Sequence, residues 1–220
     1  LVNYLKYLGT LSFIAIILIS FDTINRPDAG LYHLPYMQII QENKIILGLT
    51  NLHFRFGHTS IMQYFSAIFN FIFLKKEIFL LPLSILFSSY FLYLISLFYE
   101  KNDHKIKFLI FLILTFSFYS YNRYSGYGND AAAHLFVFLF LIEIIKGLEK
   151  NIDIQKIGRI ILFSVFAFMN KTTMIFLIIL PLYYFVFKFF KNIKFYKNNL
   201  IFLSIILIMG WTGKNIMVSG

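Results

Sequence analysis

The chain has no cysteine. Disulfides and thiolate chemistry are therefore closed to it. Charged residues are scarce, at 14% against roughly 25% in ordinary globular proteins. Acidic groups number only 10 in 220 residues, so few side chains can serve as an acid or a base. The 11 glycines are scattered. No G-x-G-x-x-G, Walker loop, zinc pattern or internal repeat is present, and Gly126-Tyr127-Gly128 is too little for a phosphate loop.

What the chain has instead is apolar mass. It is 59% hydrophobic and 20% aromatic, with 29 Phe and 15 Tyr, and its mean hydropathy is +0.74. Several runs reach or approach the roughly 17–25 residues that a membrane-crossing helix needs. They do not alternate polar and apolar residues, which excludes a transmembrane barrel. The expected fold class is all-α: a polytopic membrane helical bundle with a polar first outer loop containing short interfacial helices. The net charge of +10 admits a nucleic-acid partner. Cationic loops held on the cytoplasmic side explain it better, so the lipid bilayer is the expected partner and nucleic acid is not.

The expected spans are about 5–21, 78–99, 107–121, 131–147, 158–170, 172–187 and 199–213. The first keeps Lys6 at its cytoplasmic start. No small-x-small cleavage pattern precedes Asp22, so it is expected to be retained. The segment 22–58 is polar. Its middle reads as helical, with Pro35 suited to a first turn and Gly48 to a helix end. In 59–74, Ser60, Gln63, Ser66 and Asn70 recur at three- and four-residue steps, opposite Ile61, Phe65, Ile68, Phe69 and Ile72. A helix of that kind is expected to lie flat in the interface; the alternative is a spanning helix whose polar stripe faces a bundle. The flat placement gathers Lys101, Lys105, Lys107, Lys146, Lys150, Lys156, Arg159, Lys188, Lys191, Lys194 and Lys197 with Lys6 on the cytoplasmic side. Two short spans are expected across 158–187, because a lone Lys171 at mid-bilayer is expensive. The chain starts at Leu1 and stops at Gly220. It reads as one N-terminal transmembrane domain, 1–220, with a C-terminal part missing.

Three polar clusters then fall at span ends on the outer side. The first holds Asp28, Tyr32 and His33, with Asn51, His53, Arg55 and His58 following. The second is Asn122 to Asp130, including Arg123, with His134 one turn beyond. The third is Asn170-Lys171-Thr172-Thr173. Each has a plainer use. Asp28 and Asp130 suit turn or helix caps. The histidines suit interfacial packing, and Arg55, Arg123 and Lys171 suit anchoring at headgroups. Glu143 and Lys146 are placed for an i, i+3 ion pair. The histidine spacings match no metalloprotease pattern. Asp28 with Asp130 is a conceivable cation pair, but no metal and no cofactor are expected.

The runs Asp28-Ala29-Gly30-Leu31-Tyr32-His33-Leu34-Pro35 and Gly48-Leu49-Thr50-Asn51-Leu52-His53-Phe54-Arg55-Phe56-Gly57 carry a resemblance. With the order of spans around them, they resemble the glycosyltransferase C superfamily, and within it a group of uncharacterised bacterial membrane proteins reading D-x-G-L-Y-H-L and G-L-x-N-L-H-x-R. Tyr124 to Asp130 stands where that group has a second acidic motif, but lacks its prolines. The Lys171-Thr172 step resembles the one between two later spans. The likeness covers nearly the whole chain. It implies a multi-pass enzyme of the cytoplasmic (inner) membrane, moving a sugar from a polyprenyl-phosphate donor to an acceptor at the outer face. It marks Asp28 as the base. Tyr32, His33, His53, Arg55, Arg123, Asp130 and Lys171 are the expected substrate-binding residues, the cations facing the leaving phosphate. Two other readings compete: a polar-lipid flippase or transporter, and an O-antigen polymerase-like protein. A transporter would place charges at mid-bilayer, and a polymerase would carry its long loop late rather than after the first span.

Overall fold

The computed structural model describes residues 9–10, 13–14, 27–43, 45–57, 59–73, 79–100, 103–120, 127–128, 130–149, 154–189 and 198–220. Among them every regular element is helical and none is a strand. The expected first span, about 5–21, lies almost wholly outside the described residues. The α-helices are α1 (Leu34–Glu42), α2 (Ile61–Phe73), α3 (Leu81–Glu100), α4 (His104–Tyr119), α5 (Asp130–Glu149), α6 (Ile154–Asn170), α7 (Phe176–Phe189) and α8 (Asn199–Ser219). Two of them, α3 and α8, are long and apolar enough to cross a membrane.

The chain forms two compact units. The first comprises Leu1–Lys44 and Met62–Ala132. In it α3 packs on α4. Phe87 and Leu94 of α3 and Ile110 of α4 are fully buried, and Phe91 meets Phe118 at 5.0 Å. The polar groups of this pair are satisfied locally. Ser84 and Ser88 donate to carbonyls four residues back, and the Tyr90 and Ser117 hydroxyls bond at 3.2 Å. Asp103 starts α4 by accepting from the Lys105 N–H, an N-cap that removes one orphan donor of the first turn.

The second unit comprises Ile45–Ile61 and Ala133–Gly220. Here α8 lies along α6, and α7 packs against α6 as well. The α6–α8 approach is close because Gly158 has no side chain. A Cβ there would sit 2.8 Å from Asn198 Oδ1 and 3.0 Å from Leu200 Cβ. Asn198 occupies that space. Its Oδ1 accepts from Leu200 and Ile201 N–H, capping α8, while its Nδ2 donates to the Ile154 carbonyl at the start of α6. Glu143 of α5 is 1% exposed and holds both Lys146 at 2.7 Å and Arg159 of α6 at 2.8 Å. The i, i+3 pair is thus one arm of a three-residue cluster.

The chain leaves helical backbone at Lys171 (φ −146°, ψ 114°), then makes a 3₁₀ turn over Thr172–Ile175 before α7. Gly48 does not end α1, which stops at Glu42 with Asn43 as its cap. Gly48 instead enters the 3₁₀ turn Leu49–Asn51 with φ 67°, a left-handed backbone that glycine adopts without Cβ strain.

The polar stripe of α2 faces protein rather than water. Ser60, Gln63, Ser66 and Asn70 are all buried, whereas Phe65 and Ile68 are exposed. The stripe therefore serves packing, and the flat placement of α2 rests on the charge bias of the loops. Other helices show the same inversion. Phe108, Phe118, Phe176, Phe202 and Met209 are each more than 60% exposed, while Ser84, Ser117, Ser164, Asn170 and Ser204 are fully buried. Soluble proteins rarely expose so much large apolar surface.

Candidate functional site

In the first unit the Asp28–Pro35 motif takes an unusual backbone. Pro27 and Asp28 are already helical. The chain then widens into a π-helical turn over Ala29–His33 before tightening into α1. Such turns are well under 1% of residues and recur at functional sites. The Asp28 side chain makes no cap hydrogen bond and is exposed. Capping therefore does not account for this aspartate.

His33, one turn on, is 3% exposed. Its Nδ1 lies 3.0 Å from Gln63 Nε2 on α2. An amide nitrogen can only donate, so Nδ1 accepts and the neutral ring carries its proton on Nε2. Tyr32 packs on the imidazole at 4.1 Å between ring centroids, and Tyr127 meets it edge-on at 6.2 Å. Nε2 sits beside Gly128, where an added Cβ would be 3.9 Å away. The second acidic motif thus reaches His33 through Tyr127 and Gly128.

Around this cluster the phenols stay neutral. Tyr36 and Tyr64 bond hydroxyl to hydroxyl at 2.8 Å. Burial holds both above the usual tyrosine range, and for Tyr36 the bond to Tyr64 adds to the rise. Burial raises Tyr127 as well, against a hydrogen bond with Ser66 that lowers it. Asp130 is the first residue of α5 rather than its N-cap, so its charge favours the helix from within the first turn.

In the second unit the Gly48–Gly57 motif forms two 3₁₀ turns, Leu49–Asn51 and Phe54–Gly57. His53 is exposed and stacks on Phe54 at 5.2 Å, and its Nδ1 accepts from the Arg55 backbone N–H. The Arg55 guanidinium lies 5.4 Å from the Phe54 centroid. Lys171 is half-buried. Asp28, Tyr32, His33 and Asp130 thus belong to one unit and His53, Arg55 and Lys171 to the other. Arg123 and His58 lie outside the described residues.

One cluster escaped the sequence reading. Lys214 Nζ donates to Thr59 Oγ1 at 2.8 Å, and the Thr59 hydroxyl donates to Asn215 Oδ1 at 3.0 Å. The same ammonium lies 3.8 Å from the Trp211 ring centroid. The Trp211/Lys214 spacing of three on a helix was the available signal. The partner Thr59, 155 residues away, had none. Next to Thr59, Ser60 donates to Asn170 Oδ1 at 2.8 Å. Among the described residues, no group of three or more His, Asp or Glu could hold a metal ion.

The fold defines an all-helical protein carrying two helices fit to cross a membrane. The chain belongs to a family known as Domain of unknown function (DUF8201), whose model matches residues 1–220. No curated protein and no solved structure matches it.

Proposed function

We propose that this chain is a multi-pass glycosyltransferase of the cytoplasmic membrane, acting on a polyprenyl-phosphate sugar at the outer face. The membrane setting is supported by the inversion of polarity: large apolar side chains outward on α4, α7 and α8, polar ones inward. Lipid is the solvent that such a surface suits. The observation that carries the transferase reading is the exposed, uncapped carboxylate of Asp28 at the mouth of a π-turn.

The chemistry assigned to these residues balances without a co-reactant. The acceptor oxygen forms a bond to the anomeric carbon, which passes through an oxocarbenium-like state. The bond from that carbon to the phosphate oxygen breaks, and its electron pair leaves with the polyprenyl phosphate. Asp28 takes the acceptor proton. Arg55, Lys171 and Arg123 are the cations assigned to the leaving phosphate, arginine giving paired hydrogen bonds. Gln63 is a positioning residue that fixes the His33 tautomer, and His33, Tyr32, His53 and Asp130 are assigned to sugar or acceptor contacts.

The test is a comparison of envelope glycans from cells lacking the gene and complemented with the full-length protein or its Asp28→Asn variant. Wild type should restore a missing sugar and Asp28→Asn should not, at equal membrane abundance. Restoration by Asp28→Asn excludes Asp28 as the base. Identical glycans with and without the gene exclude the transferase.

A further inference from the structure

We propose that residues 45–57 form a bilayer-docking element, seated on the C-terminal end of α8, that dips Leu47, Leu52 and Phe54 into the headgroup boundary of the lipid. The element shares the membrane setting of the transferase reading and does not depend on sugar transfer.

The segment is fastened to α8 within the second unit. The last carbonyls of a helix have no partner in their own helix. Here the 3₁₀ turn supplies partners: Gly48 N–H donates to the Met217 carbonyl at 3.2 Å, and Thr50 Oγ1 donates to the Ser219 carbonyl at 3.0 Å. The approach is close, since a Cβ on Gly220 would lie 3.2 Å from Gly48 Cα. Leu49 is the inward anchor, at 3% exposure. Around it the large side chains stand open: Leu47 is 74% exposed, Leu52 77% and Phe54 67%.

The placement of α8 says what covers those side chains. At about 1.5 Å per residue its 21 residues span about 30 Å, which matches the hydrocarbon core of a bilayer. Phe202, Ile205, Ile206 and Met209 are exposed along it, and polar residues return at Lys214 and Asn215 in its last two turns. The end of α8, and the segment bound to it, therefore fall at headgroup level. Large apolar side chains exposed together at that depth suit lipid rather than water. Residues 45–57 contain no Asp or Glu, so no carboxylate among them repels the lipid phosphates. His53 and Arg55, beside the apolar tips in sequence, are carried to the same depth. A protein partner could also cover an apolar patch, but continuity with the end of a membrane-crossing helix favours the bilayer.

Residues 1–220 hold no cysteine, so one introduced thiol can carry a fluorophore. The full-length protein, with any other cysteine replaced by serine, is labelled at Leu52→Cys and placed in phosphatidylcholine nanodiscs. The quenchers are phosphatidylcholine bearing a nitroxide near the headgroup end or the middle of its acyl chain, and aqueous iodide. The headgroup-end nitroxide should quench the Leu52→Cys label more strongly than iodide, by about twofold, as for a group seated at the headgroup boundary. Iodide quenching at least as strong puts the segment in water and overturns the element. Shielding from every quencher puts protein over the patch and overturns it as well. If Leu52→Cys fails to fold, Leu47→Cys takes its place with the same readings. Met209→Cys, midway along α8 and 69% exposed, separates this proposal from the reading it shares a membrane with. Mid-chain quenching at Met209→Cys beside an iodide-quenched Leu52→Cys sinks the docking element alone. No lipid quenching at either position sinks the membrane setting too. A docked segment in a protein that transfers no sugar leaves the element standing and sinks the enzyme.

Discussion

At the scale of single residues, burial decides what each polar group does. Tyr36 and Tyr64 share one short hydrogen bond away from water, and both titrate above the ordinary phenol range. The folded state thus holds their protons more tightly than the unfolded chain, whose phenols titrate near pH 10. Their contribution is complete below about pH 10 and is lost as pH rises beyond it. Thermal midpoints measured from pH 8 to 11 should be flat and then fall. Tyr36→Phe should make the decline shallower, and an equal decline in that variant would remove Tyr36 as its source. Glu143 gives a second case. Its carboxylate is 1% exposed between Lys146 and Arg159, but Arg159 keeps 43% exposure and can turn to solvent. Glu143→Ala should therefore cost about 2–3 kcal/mol, at or below the roughly 3–5 of a fully buried pair. A helical-signal melt in detergent measures it; a loss under about 0.5 kcal/mol would make the cluster a surface ornament. The Glu143–Lys146 pair was legible from spacing. Arg159 was not, because its approach depends on how α5 and α6 pack.

At the scale of elements, apolar runs locate helices but do not say which face of each meets protein. The runs at 78–99, 107–121, 131–147 and 158–170 correspond to α3, α4, α5 and α6, and Lys171 does interrupt the chain. The α2 stripe was legible as a pattern but not in its direction. Period alone gives two faces and does not say which one meets protein; hydrogen bonds of Gln63 to His33 and of Ser66 to the Phe79 carbonyl decide it. The π-turn over Ala29–His33 had no signal in composition at all. The α6–α8 contact was equally hidden, since Gly158 reads as an ordinary helical glycine until Asn198 is seen against it. Gly158→Ala gains helix propensity of up to about 1 kcal/mol. It should nonetheless destabilise the second unit by about 1–3 kcal/mol, because the added methyl must displace a cap that makes three hydrogen bonds. A stabilised Gly158→Ala protein would mean that the helices separate at little cost.

At the scale of the whole molecule, composition indicates an all-helical chain, and every regular element among the described residues is helical. The two-unit organisation was not legible. The chain inserts Ile45–Ile61 of the second unit between the two parts of the first, and no change of composition marks the crossing. The candidate residues divide accordingly. The acid and its histidine belong to the first unit, and the described cations Arg55, Lys171 and Lys214 to the second. Sidedness follows from whether α2 crosses the bilayer. A reporter fused within 100–107 should read cytoplasmic if α2 lies flat, and periplasmic if α2 spans with its polar stripe against protein. The charge bias of the loops predicts the cytoplasmic result.

The central claim is that the Asp28 carboxylate removes a proton during sugar transfer. Its most direct measurement is the single-turnover rate of the purified full-length protein, at saturating polyprenyl-phosphate sugar, for wild type and Asp28→Asn. Loss of a general base predicts a fall of roughly 10²–10⁴-fold, with the apparent affinity for the donor unchanged. A rate for Asp28→Asn within about threefold of wild type would contradict the account.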